Sequence, residues 1–360
     1  MSKGKTVFVG LSGGVDSSVA ALRLKQQGYN VVGVFIKVWH PDFLVCNWEQ
    51  ERLDAMRVAA KLDIPFLTCD AEKAYKDDVA DYFIGEYKAG RTPNPDVMCN
   101  KFVKFGAFLR FAEEKKADFI ATGHYAQRIP SKGSDPLDDY QLLRGVDPNK
   151  DQTYFLWTLT QKQLSKILFP VGNSSKKQIR REAENAGLIT ARKKDSQGVC
   201  FLGHIDIPEF LSHYVDLQGG DVLNEQGEII GTHQGALVYT NGQRHGFTIT
   251  TQDTQRSAYY VIGRDIENNT ITVSPHKKIL APTSTIRLES YNFIGDPVAV
   301  LDEIQAQIRY RQTPISCRVT TVDTEHIELK LMNETDQPSI GQSCVLYRGE
   351  ECLGGGIIAE

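Results

Sequence analysis

The sequence predicts an α/β protein in three parts: an N-terminal domain on a parallel sheet, a small and mostly β central domain, and a C-terminal β-barrel. Three observations carry this. Over the first 120 residues, short apolar runs alternate with helical patterns, the signature of a parallel sheet covered by helices on both faces. A glycine-rich loop, Gly10 to Ser17, separates the first apolar run from the first helical pattern. From Gly219 onward the texture changes to short alternating runs split by Asn- and Gly-rich turns. The expected boundaries are 1–205, 206–280 and 281–360.

The first part reads as strands at Val7–Val9, Val31–Ile36, Phe66–Cys69 and Phe119–Thr122, with helices at about 16–27, 48–62, 72–88 and 100–116. Gly28 closes the first helix. Residues 130–138 are polar and turn-rich, as expected between two strands of a hairpin. Helical patterns continue through about 153–187. In the central part, Ile229–Ile230, Ala236–Tyr239, Ala258–Ile262 and Thr270–Val273 read as short strands. A further set from about 284 to 359 is expected to close as a barrel, which removes exposed edges.

Composition excludes several classes. The chain is 41% hydrophobic and 24% charged, as in ordinary globular proteins. No apolar run approaches the roughly 20 residues of a membrane span. A strand begins within about six residues of Met1, which leaves no room for a targeting segment, so the expected location is cytoplasmic. The cysteines number seven, without a Cys-x-x-Cys pair, against a secreted disulfide framework or a common zinc site. Net charge is −4, yet the window Lys150–Lys194 carries +7, an electrostatic footprint for a phosphate backbone.

Three loops carry chemistry. In Gly10-Leu-Ser-Gly-Gly-Val-Asp-Ser17, a strand meets a helix N-terminus. Backbone N–H groups and the helix dipole favour an anion there, and Gly13 and Gly14 let the backbone approach it closely. Ser12, Ser17 and Ser18 add hydroxyl donors, and Asp16 is placed to hold Mg²⁺ or to help cap the helix. No Gly-Lys-Ser/Thr comes after the glycines, so this is no Walker loop and lacks that loop's grip on the β- and γ-phosphates. Arg91-Thr-Pro-Asn-Pro-Asp-Val-Met-Cys-Asn100 is stiffened by Pro93 and Pro95 and leads into a helix expected near Lys101. Cys99 then sits close to a helix N-terminus, which favours the thiolate, with Asp96 within reach. The third loop, Asp195-Ser-Gln-Gly-Val-Cys-Phe-Leu202, sets Cys200 beside the basic window.

Ser12-Gly-Gly-Val-Asp-Ser17 resembles the PP-loop of the ATP pyrophosphatases, which cleave between the α- and β-phosphates and adenylate a substrate. With Asn94–Asn100, Ala121–Ala126, Lys150–Leu156, Asp195–Phe201, Gly242–Gly246, Arg309–Tyr310 and Gly341-Gln342 in order, essentially the whole chain resembles the tRNA-specific 2-thiouridylase (MnmA/TrmU) family. That resemblance implies ATP, with Mg²⁺, on Gly10, Leu11, Ser12, Gly13, Gly14, Val15, Asp16 and Ser17, and Ile36 and Gly123 near the adenine or ribose. Ile36 replaces a frequent Met. It implies a wobble uridine flipped into a pocket of Asn94, Pro95 and Asp96, and adenylated at its C2 oxygen. By the same resemblance Cys200 carries a persulfide from a sulfur-relay protein. Cys99 either attacks C2 or frees a hydrosulfide, a Cys99–Cys200 disulfide closes the turnover, and Asp96 is general acid/base. His124, Lys150, Asp151, Gln152, Arg309, Tyr310 and Gln342 match positions that contact or position tRNA. Gln197 departs from a frequent Thr.

Other functions fit less of the sequence. An amidotransferase-type PP-loop ligase attacks with nitrogen and needs no cysteine pair. A 4-thiouridine synthetase usually adds an RNA-binding THUMP domain, and a 2-thiocytidine synthetase carries Cys-x-x-Cys. A non-catalytic RNA-binding protein would bind ATP without releasing pyrophosphate.

Overall fold

A computed structural model describes residues 4–44, 48–131, 139–195, 206–250 and 258–359. Strands β1 (Thr6–Gly10), β2 (Asn30–Lys37), β3 (Phe66–Asp70) and β4 (Phe119–Ala121) form the expected parallel sheet. Two further strands, β5 (Ala126–Pro130) and β6 (Tyr140–Arg144), pair antiparallel and make the expected hairpin. A fifth parallel strand, β7 (Ile167–Leu168), completes the sheet in the order β3-β2-β1-β4-β7. Its segment reads as helical in sequence, because two residues are too short to show a period and Pro170 and Gly172 interrupt the chain just beyond them. The strand order reverses direction at β1, so the crevice between the ends of β1 and β4 is where such a sheet takes ligands.

Helix α1 (Val15–Gln26) packs Val15, Val19, Ala20 and Leu24 against one face of the sheet, with Ala55, Val58 and Ala59 of α2 (Trp48–Lys61). Arg23 of α1 reaches Glu182 (2.5 Å), the Pro170 carbonyl (2.8 Å) and Ser174 (2.9 Å), which ties α1 to the Lys176–Asn185 helix. The other face is covered by residues 72–88 and 95–114, two helices that each contain a π-helical stretch, Lys76–Ala80 and Cys99–Ala107. The second begins at Pro95 rather than near Lys101: Asn94 caps it and Pro95 takes its first position, where a missing N–H costs nothing.

The central domain is a five-stranded sheet around Val222, Ile271 and Val273, and its core takes in Phe83, Ile84 and Tyr87 from the 72–88 helix. Ala236–Val238, expected as a strand, is a 3-10 turn. Gly235 at φ +137 breaks the extended chain, and Asn269 Oδ1 accepts the Ala236 N–H. In the C-terminal part, Thr285–Phe293, His326–Leu331, Ile315–Val322, Glu303–Gln307, Ser343–Arg348 and Glu351–Ile358 pair in a ring that closes on Thr285–Phe293, the expected barrel. The β5–β6 hairpin extends this sheet, pairing through Leu143 with Glu351. The first and last parts therefore share one sheet and one apolar cluster, with Trp157 donating to Ser343 Oγ (3.1 Å). Among the described residues no helix is long and apolar enough to cross a membrane.

Candidate active site

The loop after β1 is an uncapped helix entry. Leu11 continues the strand, its N–H bonded to the Val34 carbonyl at 2.8 Å, and its side chain is buried. Gly13 lies at φ +67, and a Cβ there would meet the Glu51 carbonyl at 2.7 Å. Gly14 occupies the N-cap and offers no side chain, so the donors of the first turn of α1 keep their capacity for an anion. Ser17 Oγ accepts from Ser12 N (3.3 Å), and Ser18 Oγ donates to the Gly14 carbonyl (2.7 Å). Gly123, after β4, presses on this turn: a Cβ would lie 2.7 Å from Ser17 N. Ile36 is buried beside Gly10, 3.6 Å from where a Cβ on that glycine would be.

Asp16 does not cap the helix. It accepts from the Tyr125 hydroxyl (2.7 Å) and pairs with Lys176 (2.7 Å). The Lys176 amine also meets Asp195 Oδ1 at 2.8 Å, and Asp195 takes Lys150 (2.5 Å) and Arg180 (2.6 Å) besides. Burial opposes ionisation of Asp195, but the Lys150 and Lys176 bonds outweigh it and bring its carboxyl down to about 2. The basic window thus divides. Lys150, Lys176, Arg180 and Lys193 turn inward onto Asp195, Asp16 and Asp54, while Lys177, Arg181 and Lys194 are exposed. Among the described residues no cluster of three or more His, Cys, Asp or Glu offers a metal site.

The 91–100 loop is clamped. Asn94 Oδ1 accepts from Val97 N (3.3 Å), Thr92 N donates to the Ile340 carbonyl (2.9 Å), and Gln342 Nε2 donates to the carbonyls of Thr92 (3.1 Å) and Pro93 (3.3 Å). Arg91 pairs with Glu86. Asp96 lies in the first helical turn and is half-buried; Pro95 is half-buried too. Cys99 is a buried thiol in the second turn, one turn deeper than a helix starting near Lys101 implies, where the dipole's influence has declined. Beside it the Asn100 amide donates to the Phe155 carbonyl at 2.9 Å, and its buried Oδ1 has no hydrogen-bond partner among the described residues. Cys200, with residues 196–205, lies outside the described residues. Cys69, Cys317 and Cys352 are packing thiols that burial pushes up to about 11, 12 and 12.

The residues matched to tRNA positions are widely engaged within the protein. Asp151 is buried, paired with Arg144 (2.8 Å) and accepting from Gly145 N (2.9 Å) and Thr153 Oγ1 (2.9 Å). Gln152 Oε1 accepts from Tyr125 N at 3.0 Å. His124 is buried between Phe105 and Phe169, bonded to Thr122 Oγ1 at 2.8 Å; burial holds its pKa well below the usual value, so the ring is neutral. Tyr310 packs on Phe155, with ring centroids 4.5 Å apart. Arg309 donates to the Asn241 carbonyl (2.7 Å) and lines a shallow cleft with Gly242, Lys277, Lys278, Asp336 and Gln337.

Residues 5–204 match the family profile described as "tRNA methyl transferase HUP domain", 208–275 the "tRNA methyl transferase PRC-barrel domain" and 283–358 the "Aminomethyltransferase beta-barrel domain". The chain is 45% identical over 99% of its length, and 97% of the other, to a protein of Klebsiella pneumoniae subsp. pneumoniae named tRNA-specific 2-thiouridylase MnmA. A Geobacillus kaustophilus protein named tRNA-specific 2-thiouridylase MnmA 2 is 46% identical over 98% of this chain and 94% of its own. The chain belongs to the tRNA-specific 2-thiouridylase family. Two of the domain descriptions speak of methyl transfer, but the relatives matched over nearly their full length are named for thiolation.

Sequence reasoning passes over Lys176 and Tyr125 as site residues. Ser175 and Gln178 form a capping box that fixes the start of the Lys176–Asn185 helix, a readable signal. Nothing local reveals that the lysine beside that cap points at a carboxylate 160 residues away.

Proposed function

We propose that this chain converts a wobble uridine of tRNA to 2-thiouridine, with ATP as the activating substrate. The full-length identity of about 45% to proteins named tRNA-specific 2-thiouridylase carries this reading. ATP docks its phosphates on the uncapped turn at Gly10–Ser17, with Ile36 and Gly123 lining the adenosine side. The flipped uridine is read by Asn94, Pro95 and Asp96. Its C2 oxygen attacks the α-phosphorus, pyrophosphate leaves, and the C2 oxygen becomes part of an AMP leaving group, with Asp96 managing the proton.

A donor protein loads Cys200 with a persulfide. The Cys99 thiolate attacks the Cys200 Sγ, which breaks the S–S bond and releases hydrosulfide. That hydrosulfide adds to C2 and the C2–O bond breaks, giving 2-thiouridine and AMP. The Cys99–Cys200 disulfide left behind is returned to two thiols by a cellular dithiol. Mg²⁺ supplies charge neutralisation on the phosphates when it arrives with ATP. Such a cycle belongs in the cytoplasm, where ATP, tRNA and reductant coexist. For tRNA, Arg309 supplies a cation, Lys150 acts through its pair with Asp195, His124, Asp151 and Gln152 hold the β4 exit in shape, Gln342 docks the barrel on the clamped loop and Tyr310 docks it on Phe155.

The test incubates purified protein with ATP, Mg²⁺, sulfide and unmodified tRNA, followed by nucleoside mass spectrometry. Sulfur-for-oxygen gain at the wobble uridine, with AMP formed in step, is the expected result. Pyrophosphate release without thiouridine would move the acceptor elsewhere.

A further inference from the structure

The loop after β1 lacks the lysine with which a Walker loop holds the β- and γ-phosphates. We propose that Lys176 supplies that cation from another part of the chain, contacting the pyrophosphate portion of bound ATP, and that Asp195 is its positioning residue. The inference rests on the nucleotide site proposed above.

Three independent features place the amine. Lys176 opens its helix behind the Ser175 capping box, and its own N–H is fixed on Asp147 Oδ2 at 3.0 Å, so its stem leaves from a defined point. Its Nζ lies 2.7 Å from Asp16 Oδ2, in the first turn of α1, where the anion-binding N–H groups are. From the other side Asp195 holds it at 2.8 Å, and Asp195 is itself held by Lys150 and Arg180. The Lys176 side chain is only 13% exposed. An ammonium so far out of water is kept for its charge rather than for solubility.

The chemistry asks for a cation at that spot. A polyphosphate arriving on the first turn meets the Asp16 carboxylate, a like charge. Lys176 cancels that repulsion and offers three donors, which remain two-sided if one carboxylate yields to phosphate. It also stabilises the charge that builds on departing pyrophosphate. Asp195 stays ionised throughout, so the lysine keeps one fixed anchor while its other contact exchanges.

The affinity of the full-length protein for α,β-methylene-ATP and for AMP is measured by calorimetry, with wild type, Lys176→Met, Lys176→Arg and Asp195→Asn. Lys176→Met is expected to weaken the ATP analogue by about tenfold or more and AMP by less than about twofold. Lys176→Arg should restore most of the loss, and Asp195→Asn should show a smaller loss with the same dependence on phosphate number. On the wild-type protein, the ATP analogue but not AMP should protect Lys176 from amine acylation, a readout that needs no variant to fold. Equal losses for AMP and the ATP analogue, or no loss for either, would overturn the proposal. Acylation of Lys176 indifferent to the ATP analogue would do the same. Wild-type protein that binds ATP yet makes no thiouridine would sink the acceptor assignment alone. Wild-type thiolation beside unchanged ATP affinity in Lys176→Met would sink Lys176 alone.

Discussion

The two loops at the carboxyl end of the sheet are built on opposite principles. At Gly10–Ser17 the chain strips side chains away: Gly14 leaves the N-cap open, and Gly13 and Gly123 sit where a Cβ would strike backbone at 2.7 Å. At Arg91–Asn100 it adds them: Asn94 caps the helix, and Arg91 and Gln342 hold the loop from both sides. The first loop exposes backbone donors to an anion; the second fixes Asp96 and Cys99 relative to one another. The difference teaches that charge binding and base chemistry want different scaffolds. Phosphate tolerates many approaches but needs bare N–H groups, whereas attack at one ring carbon needs placed side chains.

If the division holds, each loop fails in its own way. Cys99→Ser should abolish thiolation by on the order of 10³-fold or more, while ATP affinity and pyrophosphate release persist. A parallel loss of ATP affinity would mean the loops are not separable. Asp96→Ala should fold normally and lose thiolation in the same assay. Gly123→Ala should do the reverse. Its Cβ cannot fit 2.7 Å from Ser17 N, so the first turn of α1 must shift, at about 1–3 kcal/mol of stability and about tenfold in ATP affinity. Calorimetry on both would place the two variants on separate axes. Gln342→Ala removes two bonds to the clamped loop, worth about 1 kcal/mol. A few-fold rise in the KM for tRNA is expected, with the KM for ATP unmoved.

Legibility in the sequence splits along the same line. The Gly10–Ser17 loop is local: strand, glycines and helix start lie within eight residues, and each needs only its own backbone to be understood. The five-stranded sheet is legible except for β7, whose two residues carry no period. The helix start at Pro95 is readable from the Asn94–Pro95 cap, and the expectation near Lys101 falls too late only because the two prolines read as loop. The inward turn of the basic window is not legible. In one dimension Lys176, Arg180 and Lys193 read as part of a basic footprint for a phosphate backbone, and only the fold turns them onto Asp16, Asp195 and Asp54. The same holds for Asp151, whose burial depends on Arg144 from a hairpin shared with the barrel.

The last prediction concerns pH and the wall between the two loops. His124 lies just after β4 beside Gly123, and its ring packs on Phe105, in the helix that carries Cys99. Burial, with Lys104 adding to it, depresses its pKa well below 6.5. A group held neutral in the fold but free to protonate when unfolded binds more protons unfolded, so stability rises with pH in that window. Its contribution is fully present above pH 6.5 and is lost as pH falls below that value, by up to about 1.4 kcal/mol per pH unit, until the buried ring protonates. Denaturant melts of wild type and His124→Phe from about pH 7.5 to about pH 5 should show a shallower slope in the variant, whatever its offset from repacking. Identical slopes would mean that His124 meets solvent before the protein unfolds, and that the wall between the two loops opens by itself.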